Sequence, residues 1–526
     1  MTLLIALPIL LPLLGAGLSI AFGASRNAQR VIGVVTLTTV TAASAIVLVR
    51  VDDQGVTAIQ AGAWRAPIGI TLVADRLAAI MLLIASAMLL AVLVYAIGQP
   101  GAENRHVGFH PTYLILASGV AIAFLTGDLF NLFVGFEVTL MASYVLITLG
   151  GRPDQVHSGM VYVVISLIAS ILFLVAVAFV YSATGTVNLA DLSAKTSELP
   201  AGVRSGLAVL LIVVFGIKSA IFPLFFWLPD SYPTAPSPVT AIFAGLLTKV
   251  GVYAMIRSQT LLFPVDTQPG TLLIVVAALT MIVGVFGAIT QNDIKRILSF
   301  HIISQIGYMI MGLGLFTVAG LAGAVLYIIH HIVVKTTLFL VAGLVEHRAG
   351  TGELAKVSGL ARTEPLLAVL FLLPALSLAG IPPFSGFVAK LALVDAGFGA
   401  GHGAVVGVSL AVSLLTLYSM TKIWSNAFWG APAEHAPGPT DTTTTGTTTT
   451  ATTPSAGAVA TVAVPVVVPV VVPVEGHRSL MVASTSALVV LSLVIAVASG
   501  PLYALSTRAA DDLVDTTRYT EAVLGR

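Results

Sequence analysis

The chain has 526 residues, of which 57% are hydrophobic and only 9% are charged, and its formal net charge is +1. Soluble globular domains carry about 25% charged residues, so this composition indicates an integral membrane protein. The near-neutral charge provides no basic surface for nucleic acid, and the lack of cysteine excludes disulfides, thiolate metal sites and cysteine nucleophiles.

Fourteen apolar segments are long enough to cross a bilayer, for which a helix needs about 20 mainly apolar residues. The first begins MTLLIALPILLPLL and has neither a basic start nor a small-residue cleavage site, so we interpret it as a retained span and not as a signal peptide. In chain order the predicted spans are 2–23, 31–49, 74–97, 111–127, 129–150, 158–183, 205–227, 237–258, 270–290, 297–318, 322–345, 366–396 (broken), 404–429 and 480–505.

Basic residues in the connecting loops predict the orientation. Loops after odd-numbered spans contain ten lysines and arginines, whereas loops after even-numbered spans contain six. Basic loops stay on the cytoplasmic side, so the odd-numbered loops are predicted inside and both termini outside. The tail after residue 505 adds three more basic residues outside and weakens this asymmetry.

Glu137 is an isolated carboxylate within the fifth span, with no other charge between Asp128 and Arg152. A carboxylate in hydrocarbon needs a nearby cation to stay ionised, and we predict that this cation is Lys218. The alternative is a neutral, hydrogen-bonded glutamic acid with a structural role. Asp128 lies at a span end, where helix capping is expected.

Residues 216–257 form an apolar run that five prolines interrupt. Proline breaks a helix, and freed backbone groups at membrane depth are tolerated only against protein or a watery cavity. Lys218 and Lys249 lie on either side of the break, each well inside an apolar run. Isolated ionisable residues of this kind predict part of an ion pathway. The alternative, snorkelling to the membrane surface, suits neither position well.

Five more ionisable residues lie in the second half of the chain. Span 11 contains His330, His331 and Lys335. His331 and Lys335 share a helix face, and histidine can relay protons near neutrality. A structural role for either histidine alone is the alternative, whereas a metal site lacks further ligands at suitable spacing. Lys390 follows GIPPFSGF, which opens span 12. His301, near the start of span 10, fits either a relay or an interfacial position.

Two halves of the chain show a faint internal repeat. A shift of 164 residues superimposes Tyr144 on Tyr308, Gly216-Ile217 on Gly380-Ile381, and Glu137 on His301. Many transporters are built from two related halves, and the two broken spans then correspond to each other. The pairing of a glutamate with a histidine indicates that the halves are not chemically equivalent.

Residues 431–478 differ from the rest of the chain. They begin APAEHAPGPTDTTTTGTTTT and end in VPVVVPVVVPVEGHR. A threonine-rich segment of low complexity is typical of a linker, and the repeated prolines forbid a helix. We therefore predict a linker and no span here, and the sequence assigns it no role.

Nucleotide chemistry finds no support in this sequence. Neither a G-x-x-x-x-G-K-[ST] loop nor a G-x-G-x-x-G or G-x-S-x-G motif occurs in it. We therefore expect no cofactor and no catalytic site, and energy that comes from ion gradients or from partner subunits.

The longest motifs resemble a known family. The stretches GIKSAIFPLFFWLP, WLPDSYPTAPSPVTAIFAGLLTKVGVYAMIR and LAGIPPFSGFVAK are similar to the proton-translocating subunits shared by respiratory complex I and the Mrp cation/proton antiporters. The -SYPTAPSPV- loop and the terminal DTTRYTEAVLG resemble the D-type subunits of the Mrp branch. The resemblance covers roughly residues 1–430 and 480–526.

This resemblance implies an all-α polytopic membrane protein of about fourteen spans, with two inverted five-helix repeats (spans 4–8 and 9–13) whose seventh and twelfth spans are broken. It implies a proton-translocation role for Glu137, Lys218, Lys249, His330, His331, Lys335 and Lys390. The implied segments are 1–110 (spans 1–3), 111–258 (first repeat), 270–429 (second repeat), 431–478 (linker) and 480–526 (span 14 and tail).

The favoured function is that of a non-enzymatic subunit of a secondary Na⁺/H⁺ antiporter in the plasma membrane of a prokaryote. Its expected partners are the other Mrp subunits (A, B, C, E, F and G), Na⁺, H⁺ and the lipid bilayer. One alternative is a proton-pumping subunit of a redox-driven complex of the complex I or membrane-bound hydrogenase type. Another is a scaffold that seals the complex while a neighbour conducts.

Overall fold

The computed structural model describes residues 2–103, 108–264, 267–430 and 477–525. Helices of the first half are α1 (Thr2–Ala21), α2 (Arg26–Gln54), α3 (Arg76–Gly98), α4 (Phe109–Leu125), α5 (Leu129–Ile147), α6 (Pro153–Thr184), α7 (Leu189–Ser197), α8 (Ala201–Ser219), α9 (Trp227–Ser231), α10 (Ser237–Ile242) and α11 (Thr248–Leu261). One antiparallel hairpin joins α2 to α3 and consists of β1 (Thr57–Gln60) and β2 (Thr71–Ala74).

Helices also make up most of the second half. They are α12 (Gly270–Thr290), α13 (Ile294–Gly314), α14 (Val318–Ala349), α15 (Leu360–Thr363), α16 (Pro365–Ala379), α17 (Ser385–Gly399), α18 (Gly403–Ile423), α19 (Arg478–Val497), α20 (Ser499–Val514) and α21 (Thr517–Leu524). The predicted linker 431–478 lies outside the described residues except at its last two positions.

Membrane-length helices confirm the predicted class of an all-α membrane protein. Across the described residues, twelve helical segments are long and apolar enough to cross a bilayer, with α10 and α11 joined into one segment, Ser237–Leu261. The predicted spans 111–127 and 366–396 contain shorter apolar helices, Phe109–Leu125 and Pro365–Ala379. The total of fourteen spans, the inverted repeat and the division into five segments stay predictions.

The centre of the bundle is formed by α10–α11, α13 and α14. An 18-residue window of Ser237–Leu261 and one of Val318–Ala349 are completely buried, whereas the equivalent windows of α1, α2, α6 and α12 are 39% buried. The outer helices expose leucine, valine and phenylalanine side chains, as expected for lipid-facing surfaces. The candidate residues on α11 and α14 therefore lie in the interior of the protein.

Aspartates start three of the helices that carry or surround the candidate residues. Asp75, Asp128 and Asp293 each accept a hydrogen bond from the backbone N–H three residues later, at the beginning of α3, α5 and α13. These contacts satisfy donors that a helix leaves free at its first turn. The predicted capping role of Asp128 is confirmed.

Both predicted helix breaks are present, but their register differs from the predicted one. The chain turns into the left-handed conformation at Ala220 (φ 59°) after α8 and at Gly380 (φ 87°) after α16, positions that are 160 residues apart (380 minus 220). The predicted pairing of Gly216-Ile217 with Gly380-Ile381 is therefore wrong by one helical turn at the breaks. Lys218 precedes its break along the chain, whereas Lys390 follows its own.

The last predicted span also differs in detail. Helix α19 ends at Val497, and α20 starts at Ser499 and continues to Val514, beyond the predicted end at 505. Helix α19 packs against α3 and α14, and α20 packs against α14 and α3. The C-terminal helices thereby connect the N-terminal helices to the centre of the bundle.

Candidate functional site

All four candidate lysines are buried among the described residues. Lys249 and Lys335 are completely inaccessible, and Lys218 and Lys390 expose 8% and 7% of their surface. Snorkelling, the alternative for Lys218 and Lys249, would leave the ammonium group at a surface, and the structure instead encloses it. Each ammonium group must therefore find its hydrogen-bond partners within the protein.

Lys218 lies near Glu137, as the sequence predicts, and the two are joined through Ser170 without a direct ion pair. The Ser170 hydroxyl on α6 donates a hydrogen bond to Glu137 Oε1, and it accepts one from Lys218 Nζ at 3.1 Å. Lys218 Nζ also donates to the carbonyl oxygen of Ser166 at 3.4 Å. Sequence reasoning missed Ser170; its signal is the pair of serines, Ser166 and Ser170, one turn apart in the apolar middle of α6.

A small cavity adjoins Lys218. Its volume is about 30 Å³, and it is lined by Phe136, Thr139, Tyr162 and Trp227 among others. A cavity of about 10–15 Å³, measured in the same way, is already large enough to hold a water. The Lys218 side chain thus lines a space that is large enough for at least one water.

A π-helical turn precedes Lys249. Residues Phe243–Leu247 form this turn between α10 and α11, and such turns occur often at functional sites because they disturb the regular backbone hydrogen bonding. Lys249 Nζ donates to the carbonyl oxygen of Ala244 at 2.5 Å. Gly245 lies directly against the Thr336 hydroxyl of α14, so the turn brings Lys249 close to the helix that carries Lys335.

Lys335 and the adjacent histidines line one part of α14. Lys335 Nζ donates to the carbonyl oxygen of Leu298 on α13 at 2.9 Å. His330 Nδ1 lies 2.9 Å from the Ser385 hydroxyl at the start of α17. Within the described ranges, both ring nitrogens of His331 are buried without a protein partner, and buried groups of that kind are usually bonded to water.

Lys390 binds the carbonyl groups that the second helix break releases. Its Nζ donates to Leu378 O at 3.1 Å and to Ala379 O at 3.2 Å, and these are carbonyls of the last turn of α16. The Nζ also lies 4.9 Å from the centre of the Tyr308 ring, a distance typical of a cation–π contact. The predicted association of Lys390 with the break is therefore confirmed.

His301 is fully buried, and its Nε2 lies 2.9 Å from the Ser419 hydroxyl. This burial does not fit the interfacial alternative. Two of the six basic residues counted for the even-numbered loops, Arg76 and Arg257, lie within helices, and the predicted orientation stays a prediction. Arg257 lies within α11 and pairs with Asp75 at 2.6 Å, and Arg76 pairs with Asp512 at 2.6 Å.

The site as a whole consists of ammonium groups that are held by neutral oxygens. Carbonyls of Ala244, Leu298 and Leu378 and the hydroxyl of Ser170 are the closest acceptors. A lysine that is bound in this way can release its proton without leaving an unpaired carboxylate behind. Over the described part of the chain, Glu137 is the carboxylate linked to this set, through one hydroxyl.

Comparison with known proteins adds a family context. The profile of the family described as "NADH:quinone oxidoreductase/Mrp antiporter, TM" matches residues 126–416. The D-type Na(+)/H(+) antiporter subunit of Alkalihalophilus pseudofirmus is 44% identical over 525 residues, which cover 99% of each chain. A chain from the structure of the Mrp complex from Dietzia sp. DQ12-45-1b superimposes with a TM-score of 0.87, at 37% identity over 100% of both chains.

A respiratory assembly is also similar. A chain of the membrane-bound sulfane sulfur reductase, an archaeal respiratory membrane complex, superimposes with a TM-score of 0.86 at 26% identity over 99% of both chains. The region that the family profile matches includes every lysine, histidine and glutamate of the candidate site.

Proposed function

This chain belongs to the NADH:quinone oxidoreductase/Mrp antiporter transmembrane family, and we propose that it is the proton-conducting D-type subunit of a multi-subunit Na⁺/H⁺ antiporter. The family membership supports a role in ion translocation. The 44% identity with a D-type Na⁺/H⁺ antiporter subunit over nearly the whole of both chains supports the antiporter branch. The proposed partners are the other subunits of an Mrp-type complex in the plasma membrane.

The observation that carries the proposal is the set of buried lysines with neutral acceptors. In the proposed mechanism, protons pass along a hydrated line from Glu137 and Lys218 through Lys249 and Lys335 to Lys390, with His330 and His331 beside it. The step from Glu137 to Lys218 breaks an O–H bond and forms an N–H bond, and each later step breaks one N–H bond and forms another on the next group. Because the acceptors are carbonyls and a hydroxyl, neither state of a lysine requires an ion pair to break.

Ser170 couples the first two groups. When its hydroxyl donates to Glu137, its oxygen is free to accept from Lys218. Rotation of this hydroxyl would change the partners of both charges together. A shift of the Lys218 charge would then alter the electrostatic field at Lys249, because interactions between charges are strong in a low-dielectric interior.

The alternative of a redox-driven complex is supported by the similarity to the archaeal respiratory chain. That similarity is at 26% identity, whereas the two antiporter relatives reach 44% and 37%. The higher identity favours the antiporter. Genes for iron–sulfur or quinone-site subunits beside this gene would favour the redox complex instead.

The proposal is tested with Lys249→Ala in everted membrane vesicles that contain the complete set of antiporter subunits. We expect Na⁺-dependent proton movement to be lost, because the buried ammonium group has no substitute in α11. Lys356→Ala is the matched control, since Lys356 is 64% exposed in a surface ion pair, and it should transport like the unmodified complex.

The scaffold alternative makes the opposite prediction. It requires that Glu137→Ala and Lys218→Ala preserve transport in a normally assembled complex. Full activity of Lys249→Ala in assembled complexes would contradict the proton line.

A further inference from the structure

A second buried charge cluster lies at one end of the candidate site. Lys295 Nζ on α13 is 2.6 Å from Glu346 Oε2 near the end of α14, and the Ser237 hydroxyl at the start of α10 donates to the same oxygen at 3.2 Å. The Lys295 side chain is 6% exposed, whereas the Glu346 side chain is 30% exposed. Glu346 therefore contacts both the protein interior and the solution.

Glu346 and Lys335 lie on the same face of α14. They are eleven residues apart, which corresponds to about 16 Å along the axis and about 20° around it at 1.5 Å and 100° per residue. Lys335 belongs to the proposed proton line. The Glu346 carboxylate is therefore three helical turns from that line, on the same face of α14 as Lys335.

Two hydroxyl groups occupy the interval between them. The Tyr95 hydroxyl on α3 donates to Leu340 O at 2.9 Å. A Cβ atom at Gly343 would lie 2.6 Å from the Tyr95 hydroxyl and 2.8 Å from the Ser237 hydroxyl. The missing side chain at Gly343 thus leaves room for both hydroxyls against α14, one turn before Glu346.

Other charged groups around Glu346 are accounted for by their own contacts. Asp293 caps α13 and approaches Glu346 near Gly352, where an added Cβ would lie 2.8 Å from Asp293 Oδ2 and 3.4 Å from Glu346 Oε1. Arg348 pairs with Glu364. The carboxylates of Asp293 and Glu346 and the ammonium group of Lys295 therefore lie together at this end of α14. Of the two carboxylates, Glu346 is the one that binds the hydroxyl of the buried residue Ser237.

We propose that Glu346, oriented by Lys295 and Ser237, is the site at which the proton line exchanges protons with the solution on the face reached by the odd-numbered loops. The inference rests on the proposed antiport function. In the step towards this face, the N–H bond of Lys335 breaks, hydroxyls and water along α14 carry the proton, and an O–H bond forms on Glu346. The carboxyl group then releases the proton to water.

Buffer dependence distinguishes this role from a structural one. When a side chain transfers protons to the solution, the transport rate does not depend on the concentration of mobile buffer. When that side chain is missing, buffer molecules must carry the proton away, and the rate depends on their concentration. The assay is the initial rate of Na⁺-induced decay of a respiratory pH gradient in everted vesicles with the full set of subunits. A membrane-impermeant buffer is varied in the medium, which contacts the predicted inside face.

Glu346→Gln is expected to reduce the rate about a hundredfold at low buffer, the lower end of the effects for loss of a proton-transfer group, and to regain rate as the buffer concentration rises. Glu346→Asp should retain most of the activity at every buffer concentration. Glu353→Gln is the matched control, because Glu353 forms an exposed pair with Lys356 on the same loop, and it should behave like the unmodified complex.

An unchanged rate for Glu346→Gln, or a loss that is equal at every buffer concentration in an assembled complex, would overturn the inference. If Glu346→Gln fails to assemble, Ser237→Ala and Tyr95→Phe decide, since both leave the Glu346–Lys295 pair in place. Slow transport in these variants supports the path, and unaltered transport refutes it. Absence of antiport in the unmodified complex would overturn the proposed function, and this inference with it.

Discussion

Ser170→Ala is the sharpest perturbation of the proposed mechanism. The substitution deletes one oxygen atom that binds both Glu137 and Lys218, and it leaves Lys218 with the carbonyl of Ser166 at 3.4 Å. A hydrogen bond to a charged group contributes about 1.5–3 kcal/mol. Loss of one such contact therefore corresponds to about a tenfold to hundredfold change in an equilibrium or rate, at 1.4 kcal/mol per factor of ten.

We expect Na⁺-dependent proton movement in everted vesicles to fall by about that factor in Ser170→Ala. Ser170→Thr should retain more activity because it keeps the hydroxyl group. Ser182→Ala is the matched control: Ser182 lies on the same helix, is exposed, and bonds the carbonyl of Phe179. Blue-native electrophoresis verifies that each complex assembles. An assembled Ser170→Ala complex with normal transport would refute the bridging role.

Two predictions concern stability. Arg257→Met breaks a buried pair with Asp75, whose side chains are 5% and 2% exposed, so it should cost about 3–5 kcal/mol and lower the melting temperature of the purified complex. Arg296→Met removes an exposed pair worth about 0–1 kcal/mol and should leave it nearly unchanged; equal effects would contradict this. Burial tends to raise the pKa of Glu103, but hydrogen bonds from His110 and Arg30 outweigh it and hold that pKa below the ordinary value of 4.5. Its charge therefore stabilises the fold above about pH 4.5, and this contribution is lost as the pH falls through the depressed pKa; Glu103→Gln should abolish that part of the acid dependence of unfolding, and an identical profile would disprove it.

Much of the fold follows from the sequence because the bilayer permits few solutions. Apolar runs of about 20 residues must become helices, since no other chain conformation satisfies its own backbone in lipid. Prolines predicted the helix breaks near Lys218 and Lys390, and isolated charges identified the candidate residues, because an ionisable group in an apolar span is costly unless it has a partner or a function.

The partners of these residues were decided by the tertiary structure alone. Ser170 lies 33 positions from Glu137 and 48 from Lys218, so no local pattern reveals that it joins them. The sequence shift of 164 residues also failed to predict which residues correspond at the two helix breaks. That correspondence depends on where α8 and α16 end, and only the structure shows these ends.

The sequence by itself determined which residues are charged inside the membrane and which segments are helical there, because those features follow from local composition and the cost of burial. Only the tertiary structure decided that carbonyls and one serine, and not carboxylates, hold the lysines, and that Arg76 and Arg257 are buried in ion pairs. Hydrogen bonds act over about 3 Å, and the packing of distant helices sets which groups come within that distance.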